Sequence, residues 1–140
     1  MRFFEEETGI CANDVNVKLL GRQQPEQLVA GLLLSNLYVH PSYIDNSPNS
    51  LCEAQYLGVP IIATNVGGVS AILKDGITGR LVPANAPYDM AFAIKDCHDN
   101  EKTWAEMAEK GSEDAHQRHN PDSIIKDLLN VYRTIKYSKF

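Results

Sequence analysis

Nothing in this chain approaches the roughly 18 consecutive apolar residues of a membrane-spanning helix, and no signal-peptide pattern opens it. A spanning or exported protein is therefore not the reading, and a cytoplasmic one is expected. Basic residues are in the minority, with 13 Lys and Arg against 18 Asp and Glu and a net charge of -5. A nucleic-acid surface needs a basic patch, so no nucleic-acid partner is expected. A local anion site built from backbone dipoles stays open. Cysteines number three, Cys11, Cys52 and Cys97, odd in count and widely spaced. They make neither a disulfide framework nor a metal cluster, and read as reduced thiols. Internal repeats and low-complexity linkers are also missing. What is present is 140 residues, 44% hydrophobic and 22% charged. That is one ordinary globular domain, able to bury roughly two thirds of its unfolded surface.

Residues 1–8 read as the end of a helix stopped by Gly9, and the missing lead-in suggests a chain cut from something longer. Residues 15–20, V-N-V-K-L-L, read as a strand turned by Gly21. Pro25 opens a helix through Leu34, with Leu28, Leu32 and Leu33 inward. Residues 37–40, L-Y-V-H, form a strand that Pro41-Ser42 ends. Residues 59–64 are a near-continuous apolar strand of the kind a two-sided parallel sheet needs. Gly67-Gly68 leads into a short helix through Leu73, and residues 80–82 are a last strand. Three helices follow, beginning at Pro87, after Asn100 and at Asn120-Pro121. The third carries Ile124, Ile125, Leu128, Val131 and Ile135 on one face. Alternating strands and helices give an α/β fold. It is a doubly wound, Rossmann-like parallel sheet of about four strands, with helices on both faces and a helical C-terminal tail.

The chain is organised around residues 45–60, D-N-S-P-N-S-L-C-E-A-Q-Y-L-G-V-P. Ser47-Pro48 reads as a helix start, with a hydroxyl at N-cap and proline at N1. Leu51, Ala54 and Leu57 give the helix one apolar face, and Gly58 closes it. The unit is strand, polar loop, helix, strand, which is where α/β proteins bind ligands. Asn49, Ser50 and Leu51 would offer free backbone N–H groups at the positive end of the helix dipole, where phosphate is readily received. Asp45 in the loop and Glu53 in the helix stand eight positions apart and can flank a ligand lying on the helix start. A carboxylate accepts hydrogen bonds from paired sugar hydroxyls. Phosphate between two polyols describes a sugar nucleotide. The same residues also fit a capped helix with two solvated carboxylates.

Residues 36–83 carry more than this pair: Asp45-x7-Glu53-Ala54, Gly58-Val59-Pro60, an apolar strand, Gly67-Gly68, and Asp75-Gly76-Ile77-Thr78-Gly79. The ordered set resembles the donor-binding, C-terminal half of the retaining GT-B glycosyltransferases called group 1, or family 4. The resemblance implies half of a GT-B fold over residues 1–140, with the acceptor-binding N-terminal domain and the first strands of this domain absent. It implies a parent enzyme that moves a sugar from a nucleoside diphosphate sugar to a glycan or lipid-linked acceptor with retention, using no metal and no cofactor. That parent would sit in the cytoplasm or at the inner face of the membrane.

By the same resemblance Glu53 binds the nucleotide ribose. Asp45 and Asn46 face the donor sugar, and Ser47, Asn49, Ser50 and Leu51 hold the diphosphate. Asp45 is a departure, since the family has glutamate there and aspartate is one methylene shorter. Gly67 and Gly68 line the site, where close approach to a ligand and simple turn geometry are both open readings. After the glycine pair the family often has an acidic residue; Ser70-Ala71 stands there. Gly21-Arg22 is not the family's phosphate-binding Gly-Arg, because Gln23, Gln24 and Pro25 follow with no lysine. No catalytic residue is assigned within the chain. His116 and His119, with Glu113, can be drawn as a metal site, but read as solvated helix faces. His40 reads as a packing or capping group.

The alternative is a non-catalytic sugar-nucleotide-binding module, or one subunit of a split transferase that needs a partner chain. A receiver or flavodoxin-like domain would want an acidic pair after its first strand, which Gly21-Arg22-Gln23 does not offer. For the sheet, residues 15–20 are expected to lie beside 37–40 in a fourth-strand position. The open edge that remains would allow a homodimer.

Overall fold

The computed structural model describes residues 2–137, without the side chains of residues 2–4, 12 and 13. It divides into two compact units, residues 1–30 and 31–140.

In the first unit, helix α1 (Arg2–Thr8) ends on Gly9, whose amide bonds back to the Glu5 carbonyl at 2.9 Å. A single 3-10 turn covers Ala12–Val15, and helix α2 (Pro25–Leu33) begins in this unit. Gln24 stands just before α2, and its amide donates to Gln27 Oε1 in the first turn at 2.9 Å. The strand expected over 15–20 is not there. Val15 belongs to the 3-10 turn, and Asn16 is left-handed with φ +55°. Both conformations break an extended run at its start. Strand-forming residues without a ladder satisfy no backbone groups by pairing, and here the apolar side chains Leu19 and Leu20 remain exposed.

The second unit holds a three-stranded parallel sheet in the order β1 (Tyr38–His40), β2 (Ile61–Thr64), β3 (Arg80–Val82). Tyr38 pairs with Ile61 and His40 with Ala63; Ile62 pairs with Arg80 and Thr64 with Val82. Among the described residues the sheet therefore has three strands and not four, with β1 and β3 at its edges. Between the strands run α3 (Asn49–Tyr56) and the single turn α4 (Val69–Ile72). After them come α5 (Pro87–Asp99), α6 (Glu101–Arg118) and α7 (Pro121–Tyr137).

All four residues of β2 are buried, and its pleat sends alternate side chains to two cores. Ile61 and Ala63 meet Leu51, Ala54, Val69 and Leu73 on one face. Ile62 meets Val82, Ala93, Cys97, Trp104 and Met107 on the other. Leu51, Ile61, Ile62 and Leu73 are at most 1% exposed, and each such burial stabilises by about 1.5–3 kcal/mol. The ion pair of Lys74 with Asp114 joins side chains 56% and 32% exposed, worth at most about 1 kcal/mol, so the two cores hold the unit together. Trp104 settles its indole by donating to Asp96 Oδ2 at 2.9 Å.

Several expectations about burial are corrected. Of the inward set on α2, Leu32 is buried, whereas Leu28 is 37% and Leu33 61% exposed. The apolar face of α7 is real as a pattern, yet Ile124, Ile125, Leu128, Val131 and Ile135 are all exposed, and α7 buries no residue. Periodicity marks which side of a helix is apolar and not whether something covers it. Among the described residues no helix is long and apolar enough to cross a membrane.

Candidate functional site

Parallel strands deliver their following loops to one end of the sheet. Here these are residues 41–48 after β1, 65–68 after β2 and 83–86 after β3. The first of them is tied down from below. Thr64, at the end of β2, donates its hydroxyl to the carbonyls of Ser42 and His40. Gly68 N donates to the Asp45 carbonyl at 3.2 Å.

The glycine pair is explained by that contact. A Cβ on Gly67 would stand 2.2 Å from the Asp45 carbonyl oxygen, and one on Gly68 would stand 2.0 Å from that of Asn46. Neither distance is possible for a side chain. Of the two readings left open for this pair, turn geometry is seen, since Gly67 has φ +48°, and the group that comes close to both glycines is the chain's own loop. The glycines fix where Asp45 and Asn46 stand.

Ser47 is not the N-cap. The helix begins at Asn49 with Pro48 at the cap position, and no side chain caps it. Ser47 instead donates its amide to Asp45 Oδ1 at 3.2 Å, a local turn that competes with capping. The first helical bond runs from Cys52 N to the Pro48 carbonyl at 3.2 Å, so the amides of Asn49, Ser50 and Leu51 have no acceptor within the helix. Leu51 is 0% exposed, with its side chain in the core. Asn49 is exposed and Ser50 half-buried, so of these three residues only they reach the surface. Glu53 is exposed and Asp45 half-buried on the same end of the sheet.

A network that the sequence reading did not assemble joins these parts. His40 Nε2 lies 3.2 Å from Asp45 Oδ2, and His40 Nδ1 lies 3.2 Å from the Tyr38 hydroxyl. Tyr38 in turn donates to Ser50 Oγ at 2.8 Å. Burial pushes the Tyr38 phenol above its ordinary value; the Ser50 bond pulls it back, and the charges of Asp45 and Glu53 add to the rise. Both carboxylates thus act on one hydroxyl. The signal was available: a period of two puts Tyr38 and His40 on one face of β1.

The motif Asp75-Gly76-Ile77-Thr78-Gly79 is a structural turn. Asp75 Oδ1 accepts the Leu81 amide at 2.9 Å, and buried Thr78 accepts the Lys74 amide at 2.9 Å. A Cβ on Gly79 would meet the Ile61 carbonyl at 2.8 Å, so this turn packs against β2. His116 stacks on Tyr56 with ring centroids 3.8 Å apart, and its Nδ1 lies 2.8 Å from the Ser112 carbonyl. That is a packing role. No group of three His, Cys, Asp or Glu among the described residues is arranged to hold a metal. At the same end of the sheet, beside the start of α5, a cleft of about 300 Å³ opens between Ser42, Tyr43, Thr64, Pro87 and Met90.

Parallel strands with helices packed on both faces define a domain of the doubly wound α/β class, whose members hold ligands at the strand ends. The family described as glycosyl transferases group 1 matches residues 3–114, and the chain belongs to that family. Two similar proteins are D-inositol 3-phosphate glycosyltransferases. That of Corynebacterium glutamicum (strain R) is 31% identical over 114 residues, 81% of this chain and 27% of that protein. That of Rhodococcus jostii (strain RHA1) is 32% identical over 132 residues, 93% of this chain and 28% of that protein. The chain therefore spans less than a third of the length of these relatives. Sucrose-phosphate synthase from Thermosynechococcus elongatus has a similar structure, with a TM-score of 0.84 at 24% identity, covering 99% of this chain and 34% of that one. Anabaena HepE in complex with UDP gives 0.82 at 21% identity, covering 95% of this chain and 36% of that one. A C-terminal domain of a group 1 family protein from Francisella tularensis gives 0.72 at 15% identity, covering 85% and 64%. These structural likenesses establish the fold, an α/β unit of the GT-B type.

Proposed function

We propose that this chain is the donor-binding, C-terminal unit of a retaining family 4 glycosyltransferase. It holds a nucleoside diphosphate sugar, and the enzyme passes the sugar to a glycan or lipid-linked acceptor bound by a domain outside residues 1–140. One observation carries the reading. At one end of the sheet, Asp45, the amides of Asn49 and Ser50, and Glu53 follow one another along a loop and the first turns of one helix. Glu53 serves the ribose; Asn49 and Ser50, with Ser47 beside them, serve the diphosphate; Asp45 and Asn46 face the sugar. Leu51 contributes through the helix dipole and its packing. UDP in the HepE structure supports the nucleotide class. The reading calls for no metal, since the helix start meets the phosphate charge. It places the enzyme in the cytoplasm or on the inner face of the membrane.

A second reading is a non-catalytic module or one subunit of a split enzyme. It is favoured by the strand-end loops 41–48, 65–68 and 83–86, which contain no Lys or Arg. In that reading the cations facing the diphosphate come from a partner chain, and pairing at the β1 edge offers a homodimer. Titration of the 140-residue chain with UDP and with GDP, followed by amide NMR, tests binding. Assay with and without the parent's remaining sequence separates the two readings.

A further inference from the structure

We propose that His40 and Tyr38 are positioning residues for the donor sugar: His40 aims the Asp45 carboxylate, and Tyr38 ties that carboxylate to the first turn of α3. The proposal rests on the donor-binding reading and adds to it two residues that contact no ligand themselves.

Asp45 is short and lies on a loop, so its aim depends on what holds it. Its Oδ1 takes the Ser47 amide and its Oδ2 faces His40 Nε2, both at 3.2 Å. A carboxylate offers about four lone-pair positions, and these contacts use two. The side chain is 28% exposed, so the remaining positions open to a ligand. His40 is a firm support because its side chain is only 13% exposed and both ring nitrogens are engaged. Turning the ring would break the contacts to Asp45 and Tyr38 together. The Tyr38 ring lies alongside, with centroids 6.1 Å apart and planes 29° from parallel.

The far end of the network gives it a functional sense. Ser50 sits in the first turn of α3, beside the amides assigned to the diphosphate. Asp45, assigned to the sugar, sits at the other end. The chain Asp45–His40–Tyr38–Ser50 therefore fixes the spacing between the places where the two halves of a sugar diphosphate would lie. Backbone contacts at Gly67 and Gly68 set the height of the loop, and they leave the carboxylate torsions free. The side-chain network removes that freedom, which is what holding a reacting group in place requires.

The test is saturation-transfer NMR with UDP-glucose on the 140-residue chain. Transfer to the glucose protons is compared with transfer to the ribose protons of the same molecule. In the wild type both sets receive transfer. His40→Phe should cut the glucose signal about fivefold relative to ribose, while ribose transfer is kept. His40→Gln, which returns an amide N–H toward Asp45, should restore most of it. Rescue of this kind is not expected if His40 only fills space. Tyr38→Phe keeps the ring, removes both hydroxyl contacts and should lower the glucose signal by a smaller factor. Should His40→Phe fail to fold, His40→Gln against His40→Asn, whose amide is too short to reach Asp45, makes the same comparison. An unchanged ratio in these variants overturns the positioning role. So does ribose transfer without glucose transfer in the wild type, which leaves nucleotide binding standing. Absence of any transfer from the wild type would instead remove the donor-binding reading on which the inference depends.

Discussion

Gly68 passes so close to Asn46 that a Cβ on it would stand 2.0 Å from the Asn46 carbonyl oxygen. The obstacle is backbone, which cannot swing aside as the end of a side chain can. Gly68→Ala must therefore displace either the 41–48 loop or the start of α4. It should destabilise by more than about 2 kcal/mol, in the range of a backbone clash, and weaken nucleotide binding as well. Urea unfolding measures the first effect. An alanine variant of wild-type stability would show that the loop is not held against the glycines.

Glu53→Gln separates ligand from core. The residue is exposed and belongs to neither hydrophobic cluster. Unfolding free energy should move by less than about 1 kcal/mol, as for other surface changes. UDP affinity should fall at least about tenfold, since a hydrogen bond to a charged group is worth about 1.5–3 kcal/mol. A sharp drop in melting temperature would make Glu53 a structural group and end the ribose assignment.

Gln55 is its opposite on the same helix. It is 1% exposed, donates to the Ile72 carbonyl at 3.2 Å and accepts from Arg118 Nη2, so it clamps α3 to α4 and to the end of α6. Gln55→Leu keeps the bulk but strands both partners, and should cost about 1–3 kcal/mol. Nucleotide affinity, measured under conditions where the variant is folded, should be unchanged.

Tyr38 should ionise later than a free phenol. Its folded-state value lies above the ordinary 10.0, chiefly through burial. Below pH 10 the phenol is neutral in both folded and unfolded chains, and the contribution is fully present. As pH climbs past 10 the unfolded chain loses the proton first, so stability is lost progressively until the folded-state value is passed. Absorbance titration of Tyr38→Phe should lack a phenol that ionises above the ordinary value. Loss of a phenol that ionises at the ordinary value would contradict the burial of Tyr38 beside Asp45 and Glu53.

Much of this was readable in advance, and the gaps have physical causes. The strands at 38–40, 61–64 and 80–82 follow from apolar runs, and the helices beginning at Pro87, after Asn100 and at Asn120-Pro121 from their start signals, although the Asn100 side chain makes no capping bond. The capping role of Asn120 is direct, for its Oδ1 accepts the amides of Asp122 and Ser123. Residues 15–20 misled because strand propensity describes side chains, whereas a strand exists only if a neighbour completes its ladder. Ser47 misled because a nearer carboxylate, Asp45, took its amide and drew the loop into a turn of its own. The reason for Gly67-Gly68 lies 20 or more positions away in sequence, at residues 45 and 46, and such contacts leave no local trace. The Tyr38–His40–Asp45 network was within reach of the alternation in β1, but its closing member, Ser50, is placed by the loop.

Turnover is a separate question from binding. With no Lys or Arg in the strand-end loops to face the diphosphate, the 140-residue chain alone should transfer no sugar from UDP-glucose to water or to added acceptors. Sustained release of UDP by the purified chain would show that the acceptor half is not needed and would overturn the division of labour proposed here.

The central claim is that nucleotide binds where the loop after β1 meets the start of α3. Amide NMR titration with UDP tests it most directly. Shifts should concentrate in residues 45–53 with 67 and 68, with a dissociation constant of about 1 mM, equivalent to only about 4 kcal/mol. Glu53→Gln should weaken the response. No shift at saturating UDP, or shifts centred on another part of the chain, would contradict it.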